Sequence, residues 1–179
     1  MLDLCQIRSV TPDDLPMLLH WRNHPSIRRF MFTQHEISSE EHLNWYTQAS
    51  QDPTRHLLIV EDSHHPVGYV QFSNVTTGGI SHWGFYACPD APKGSGKKLG
   101  LTSLNHAFSE LKLHKVCGQA IDTNETSKAF HQSLGFKQEG VLRDQHCLDG
   151  TYHSLICFGL LAHEWQAFTQ AKEHTHADH

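Results

Sequence analysis

The order of elements in this sequence predicts an α/β (α+β) domain, a single sheet of about seven strands with helices on both faces. Three observations carry that expectation. Strand-like and helix-like segments alternate along the chain without an internal repeat or a Pro/Gly/Ser-rich linker. Three strand patterns, at 57–61, 67–75 and 80–87, follow one another through short turns, which is the signature of a meander. Near the end, Asp149-Gly150 is a hairpin dipeptide set between two strand-like runs.

Taken in order, the chain opens with a strand at 6–10. Thr11 then offers a capping hydroxyl, Pro12 sits where no N–H partner is needed, and Asp13 and Asp14 favour the positive end of a helix dipole. A helix should start there, with Leu15, Leu18, Leu19 and Arg22 on one face, and Pro25 should end it. Ser38 followed by Glu41 is a capping-box pattern for a helix over 39–49 that brings His42, Trp45 and Tyr46 together. After the meander, Leu101, Leu104, Phe108 and Leu111 recur at helical spacing, predicting an amphipathic helix over 97–113. A strand at 115–121 precedes a helix that is capped by Asn124, turns Phe130 and Leu134 inward and stops at Gly135. Strands at 136–148 and 152–160 complete the hairpin, and a last helix starts near Ala162. We expect one domain over 1–172 and a loose His-rich tail over 173–179.

Composition narrows the class. With 38% hydrophobic and 18% charged residues the chain is ordinary for a globular domain, and its net charge of -5 gives no global reason to bind nucleic acid. An anionic ligand must therefore be held locally. No apolar run approaches membrane-spanning length, and the first residues lack a basic segment followed by an apolar one, so neither export nor membrane insertion is expected. The five cysteines are widely spaced, form no C-x-x-C pair and suit reduced thiols in the cytoplasm. The 17 histidines include His64-His65 and the tail residues His174, His176 and His179, but no metal motif accompanies them and no metal site is expected.

The most informative stretch runs from His82 through Pro89 and on to Lys93, Gly94, Ser95, Gly96, Lys97, Lys98 and Leu99. A strand, a glycine-containing turn and a helix start stand in series, so successive N–H groups and the helix dipole can converge on a pyrophosphate. Rossmann and P-loop readings fail, because no G-x-G-x-x-G follows the first strand and no Lys-Ser/Thr follows the Gly-x-Gly. A second segment pairs with the first: Asn124, Ser127, Phe130, His131, Leu134, Gly135 and Phe136.

Together these segments resemble the GCN5-related N-acetyltransferases over residues 6–161. The resemblance implies one mixed, mostly antiparallel sheet whose central parallel strands splay apart. It also implies acetyl-CoA as cosubstrate, its pantetheine arm pairing with the backbone of Phe85, Tyr86 and Ala87 and its pyrophosphate resting on the amides of 94–99. Asn124 would contact the pantetheine, with Ser127 and Phe130 beside it. Two departures from the family pattern stand out: lysine at both outer positions of the phosphate loop, Lys93 and Lys98, and His131 where the family has a tyrosine. Acetyl transfer needs a neutral amine, a donor for the oxyanion and a proton for the departing thiolate, whose acid has a pKa of ~8.5. His131 is the candidate proton donor, with a buried structural histidine as the alternative. His82 is the first candidate for the base, ahead of Glu61 and His42, and Cys88 is disfavoured as an acyl carrier.

A narrower resemblance lies in Leu19-His20-Trp21-Arg22-Asn23-His24-Pro25, Met31, and the run from Ile37 to Trp45. It is similar to acetyltransferases of pseudaminic acid biosynthesis, which act on a UDP-linked 4-amino-4,6-dideoxy sugar; Arg-Asn-x-Pro also occurs in ribosomal-protein acetyltransferases. That likeness implies an acceptor pocket of Arg22, Met31, His42, Trp45, Ser73 and Asn74. Arg22 suits a phosphate and Trp45 or Met31 a base face, although Trp45 and Met31 are equally suited to a core and Arg22 to a pair with Asp14 or Glu41. A ribosomal-protein or peptide N-terminal acetyltransferase and an acyl-CoA-binding sensor are the alternatives, and a homodimer is compatible with all three.

Overall fold

The computed structural model describes residues 4–177, with side chains placed as far as Lys172. Strands β1 (Gln6–Ser9), β2 (His56–Asp62), β3 (His65–Ser73) and β4 (Ile80–Ala87) pair antiparallel in sequence order, β2, β3 and β4 through short turns and β1 with β2 across a long helical connection. Helix α4 (Ser95–Ser109) then crosses over, so β5 (Lys115–Ile121) runs parallel to β4. Strands β6 (Lys137–Leu148) and β7 (Thr151–Leu161) form the expected hairpin through Asp149-Gly150, and β7 inserts between β5 and β6. The sheet order is β1-β2-β3-β4-β5-β7-β6.

The sheet is covered on both faces. Helices α1 (Leu15–Asn23) and α3 (Ser39–Gln51) pack Leu18, Trp21 and Ala49 against Leu57, Ile59 and Tyr69 of β2 and β3. On the opposite face Leu99, Leu101 and Leu104 of α4 meet Leu58, Val60, Val70 and Phe72, joined by Leu134 and by Trp165 of α6 (Ala162–Ala177). Alternation along β2 and β3 sends successive residues to the two cores, so both strands read as continuous apolar runs. Fully burying each such side chain contributes about 1.5–3 kcal/mol.

Local structure departs from the sequence expectation at two helix ends. The first helix begins as a 3-10 turn at Pro12–Asp14, where the Asp14 carboxylate accepts the Thr11 backbone N–H at 2.7 Å and a double contact from Arg8 at 2.8 and 2.9 Å. Pro25 ends that helix as expected, α1 stopping at Asn23, and it also opens the short helix α2 (Pro25–Arg28), where its missing N–H is harmless. The backbone of α6 continues to Ala177, past the boundary expected at 172. The tail histidines 174, 176 and 179 lie outside the residues whose side chains are described.

Candidate active site

The parallel pairing of β4 and β5 ends at His82↔Cys117. Beyond that point β4 continues to Ala87 and β5 to Ile121 without pairing to each other, so the sheet forks as expected. Strand parity fixes which groups face the fork. Cys88 donates its N–H to the Val67 carbonyl of β3 at 2.9 Å, so Tyr86 and Gly84 share that direction while Trp83, Phe85 and Ala87 turn their backbone polar groups to the opening. Buried backbone groups demand partners, and a ligand strand can supply them.

A cavity of about 810 Å³ passes through this fork. At one end it is lined by Gly96, Leu99, Asn124, Ser127, Phe130 and His131; at the other by Arg22, Met31, His42 and Trp45. His82, Phe85, Tyr86 and Ala87 stand between. The cavity thus gathers residues from both sequence-predicted groups, although Lys93, Gly94, Ser95, Lys97 and Lys98 lie outside its lining.

The fit of the first end to acetyl-CoA can be tested on the structure itself. Helix α4 (Ser95–Ser109) starts from Gly94, whose φ of +95° places it in the left-handed region, and no side chain caps it. The Ser95 N–H donates to the Pro92 carbonyl at 3.1 Å, and the amides that follow it in the first turn have no side-chain cap and can meet an anion. A Cβ at Gly96 would meet no protein atom within 4 Å, so the space above that residue is open for close approach. Lys93 and Lys97 are exposed, while Lys98 Nζ holds the Asp62 carboxylate at 2.7 Å. Asn124 caps α5 (Glu125–Ser133) by accepting the Ser127 N–H at 3.1 Å and also lines the cavity.

His131 is in a different position from the one its expected role requires. It is 1% exposed. Its Nδ1 donates to the Ser127 carbonyl at 2.8 Å, and its Nε2 accepts from Trp83 Nε1 at 3.1 Å. Those partners fix the neutral tautomer, because a carbonyl cannot donate and an indole N–H cannot accept. Burial pushes the imidazole pKa down, against a smaller upward pull from Ser127. The ring's one proton is already engaged by a carbonyl, so the expectation that it protonates the departing sulfur does not fit this geometry.

The second end is built from side chains. His42, 6% exposed, stacks on Trp45 with ring centroids 5.2 Å apart. Burial and then the Arg22 charge push its pKa down, so it is a poor proton acceptor. Arg22 donates from Nη2 to the Thr33 carbonyl at 3.0 Å, but its Nη1 is buried with no protein partner. The alternatives weighed for Arg22 fail: Asp14 is taken by Arg8, and Glu41 by His35 at 3.0 Å. Glu61 is held by Arg8 at 2.8 Å at the sheet edge and is no candidate base. Ser73 and Asn74 do not line the cavity; the Ser73 hydroxyl donates to the His82 carbonyl at 3.3 Å, and Asn74 is exposed in the turn after β3.

Sequence reasoning missed Tyr69, Gln71, Trp83 and Gly118, all of which line the cavity. Tyr69 donates to Gln71 Oε1 at 3.1 Å, which aims the Gln71 amide nitrogen across the floor beside Gly84. Period-two alternation could have flagged Gln71 as a polar residue within an apolar strand. Nothing in the sequence links Trp83 to His131.

The Acetyltransferase (GNAT) domain family matches residues 5–137. The chain belongs to that family. Among curated relatives, Acetyltransferase PseH of Campylobacter jejuni subsp. jejuni serotype O:2 is 30% identical over 136 residues, covering 76% of this chain and 85% of the relative. A putative ribosomal N-acetyltransferase, YdaF of Bacillus subtilis, is 38% identical over 63 residues, covering 35% of this chain and 34% of the relative. Among solved structures, spermidine N-acetyltransferase of Vibrio cholerae in complex with CoA and spermine superposes with a TM-score of 0.83 at 21% identity, covering 92% of this chain and 99% of that one. This last likeness concerns the fold. The GNAT chain is an acetyl-CoA-dependent N-acetyltransferase. Among the described residues, no helix is long and apolar enough to cross a membrane.

Proposed function

We propose that this enzyme acetylates the 4-amino group of a UDP-linked 4-amino-4,6-dideoxy sugar, the step that pseudaminic acid biosynthesis requires, in the cytoplasm. The observation that carries the reading is the orphaned Nη1 of Arg22 in a cavity of low acidity. Glu41 is the single carboxylate among the described lining residues, against Arg22 and Arg29. A buried guanidinium nitrogen without a partner costs free energy unless a ligand oxygen completes it, and a diphosphate does so with charge-assisted hydrogen bonds. The stacked His42 and Trp45 beside it offer an apolar face to a pyrimidine.

A polyamine or an exposed peptide terminus would call for carboxylates at this end, and the lining favours neither. The relative of Campylobacter is named for the same reaction class the reading assigns, and the spermidine enzyme shares the fold.

In the proposed mechanism the acetyl group enters along the fork from the α4 end and the amine from the Arg22 end. His82, exposed at the last paired position of β4, takes the amine proton. Backbone N–H groups of Phe85 and Ala87 orient the thioester and receive the developing oxyanion; as the tetrahedral intermediate collapses the C–S bond breaks, and CoA leaves as a thiolate that takes its proton from solvent water. Initial rates with acetyl-CoA and, in turn, the UDP-amino sugar, spermidine and a peptide N-terminus test the reading. Turnover of the sugar alone is expected; acetylation of spermidine or peptide in its place would overturn it.

A further inference from the structure

Trp83, Gly118 and His131 form a unit that the acetyl-transfer chemistry does not use. Trp83 is the first residue of β4 beyond the last parallel pair, and Gly118 is the first of β5 beyond it. His131 reaches this point from α5, accepts the Trp83 N–H at 3.1 Å and is tied to its own helix through Ser127. The site is close-packed. A Cβ at Gly118 would lie 2.6 Å from Trp83 Nε1 and closer still to His131 Nε2, so the hydrogen bond occupies the space a side chain at 118 would need. The imidazole lies parallel to Phe158 of β7 at 4.8 Å and edge-on to Phe136 at 5.0 Å, with no freedom to turn. Trp83 is stacked on Phe136 at 5.2 Å and tilted against Phe85 at 4.7 Å.

We propose that His131 is a positioning residue: together with Trp83 over Gly118 it forms a clamp at the fork of the sheet that fixes how far β4 and β5 stand apart for the pantetheine arm. The reason is geometric. Two parallel strands that have begun to pair continue to do so unless something fills the space between them, since each further pair satisfies backbone N–H and C=O groups. An indole and an imidazole joined by a hydrogen bond are rigid, and the bond sets their separation. The bond also joins β4 to α5, so the strand edge that receives the arm and the helix that flanks it through Phe130 move as one piece. Trp83 and Phe130 are parallel, with centroids 6.3 Å apart. Ser127 completes the chain by holding the imidazole in the tautomer whose Nε2 accepts.

The inference rests on the reading that pantetheine lies in the fork, and one comparison separates the two. Calorimetric affinities of CoA and of adenosine 3′,5′-bisphosphate, which lacks the arm, are measured for the native enzyme and for Trp83→Phe, Gly118→Ala, His131→Phe and His131→Gln, alongside kcat for each. In the native enzyme CoA should bind the more tightly of the two; equal affinities would overturn the pantetheine reading and the clamp with it. In Trp83→Phe and His131→Phe, CoA should weaken by about 10-fold, the loss expected when one partner of a buried hydrogen bond is removed. The bisphosphate should bind each variant unchanged. His131→Gln keeps an acceptor for the indole and should retain CoA affinity and kcat within about threefold.

A proton-donor role for His131 predicts the opposite split, with CoA affinity intact and kcat reduced by about 10²-fold or more in both His131 variants. That result would overturn the clamp. Trp83→Phe keeps an aromatic ring in the stack while it removes the donor and part of the indole, and a fold check by circular dichroism accompanies each variant.

Discussion

The two ends of the cavity are built from different materials. Toward α4 the recognition elements we propose are backbone: the amides that follow Ser95 at a helix start without a side-chain cap, and the edge of β4 beyond its last pair with β5. Toward α1 and α3 they are side chains, with Arg22, His42 and Trp45 brought together from two helices. Backbone recognition suits a cosubstrate common to a family, because any sequence that folds this way presents the same amides. Side-chain recognition can differ from one member to the next without disturbing the fold, and it is at this end that we place acceptor choice.

The contrast is sharpest in what each end tolerates. Gly96→Val should cost the most at the first end. A Cβ at this position meets no protein atom within 4 Å, so the fold should hold while the approach to the amides is blocked. Losing two amide-to-phosphate contacts at about 1.5 kcal/mol each would weaken CoA about 10²-fold. Calorimetry with the folded variant checks this, and unchanged affinity would remove the phosphate site from the α4 start.

Arg22→Ala should raise KM for the UDP-sugar about 10-fold or more and leave KM for acetyl-CoA unchanged. The same residue gives a second and opposite measurement. Burial holds the Arg22 pKa down, and its Nη1 is unpaired, so the guanidinium is a cost to the unliganded fold. Arg22→Met should therefore match or exceed the native Tm, as when a functional site is relieved of strain. A clear fall in Tm would mean that Arg22 is structural and would break the comparison between the two ends.

The pH dependence of stability follows from three histidines. Burial lowers the pKa of His42, His106 and His131 below the ordinary 6.5. The unfolded chain then binds more protons than the folded one as pH drops through 6.5 toward the folded values, so stability falls with falling pH over that window and levels off above it. Urea midpoints at neutral pH and at about one unit below the ordinary histidine value measure the slope. A flat profile would contradict the burial of these rings.

The smallest effect is expected at Lys98. Its ammonium is committed to Asp62 at 2.7 Å on the surface, so Lys98→Met should change CoA affinity by less than about threefold. A larger loss would mean that the loop lysines, rather than the amides, carry the phosphate.

Periodicity located the elements that position the site because they are local. The bounds of β4 and β5 were legible to the residue, and the caps Ser38 and Asn124 act as expected, since a cap bonds to a neighbour three positions away. The roles of Ser73, Asn74 and His131 were not legible, because each depends on partners brought from elsewhere in the chain.

By itself, then, the sequence determined the alternation of elements, the meander and the hairpin at Asp149-Gly150, whereas helix α4 starts two residues before the expected position 97. Tertiary structure alone decided that Trp83 would meet His131 across 48 positions, that Arg8 would take Asp14 and Glu61 away from other partners, and that one nitrogen of Arg22 would be buried without a protein partner. The physical reason is the range of the interactions. Caps, turns and hydrophobic period are written in residues a few positions apart, whereas the protonation state and free valence of a buried side chain depend on what the finished packing sets against it.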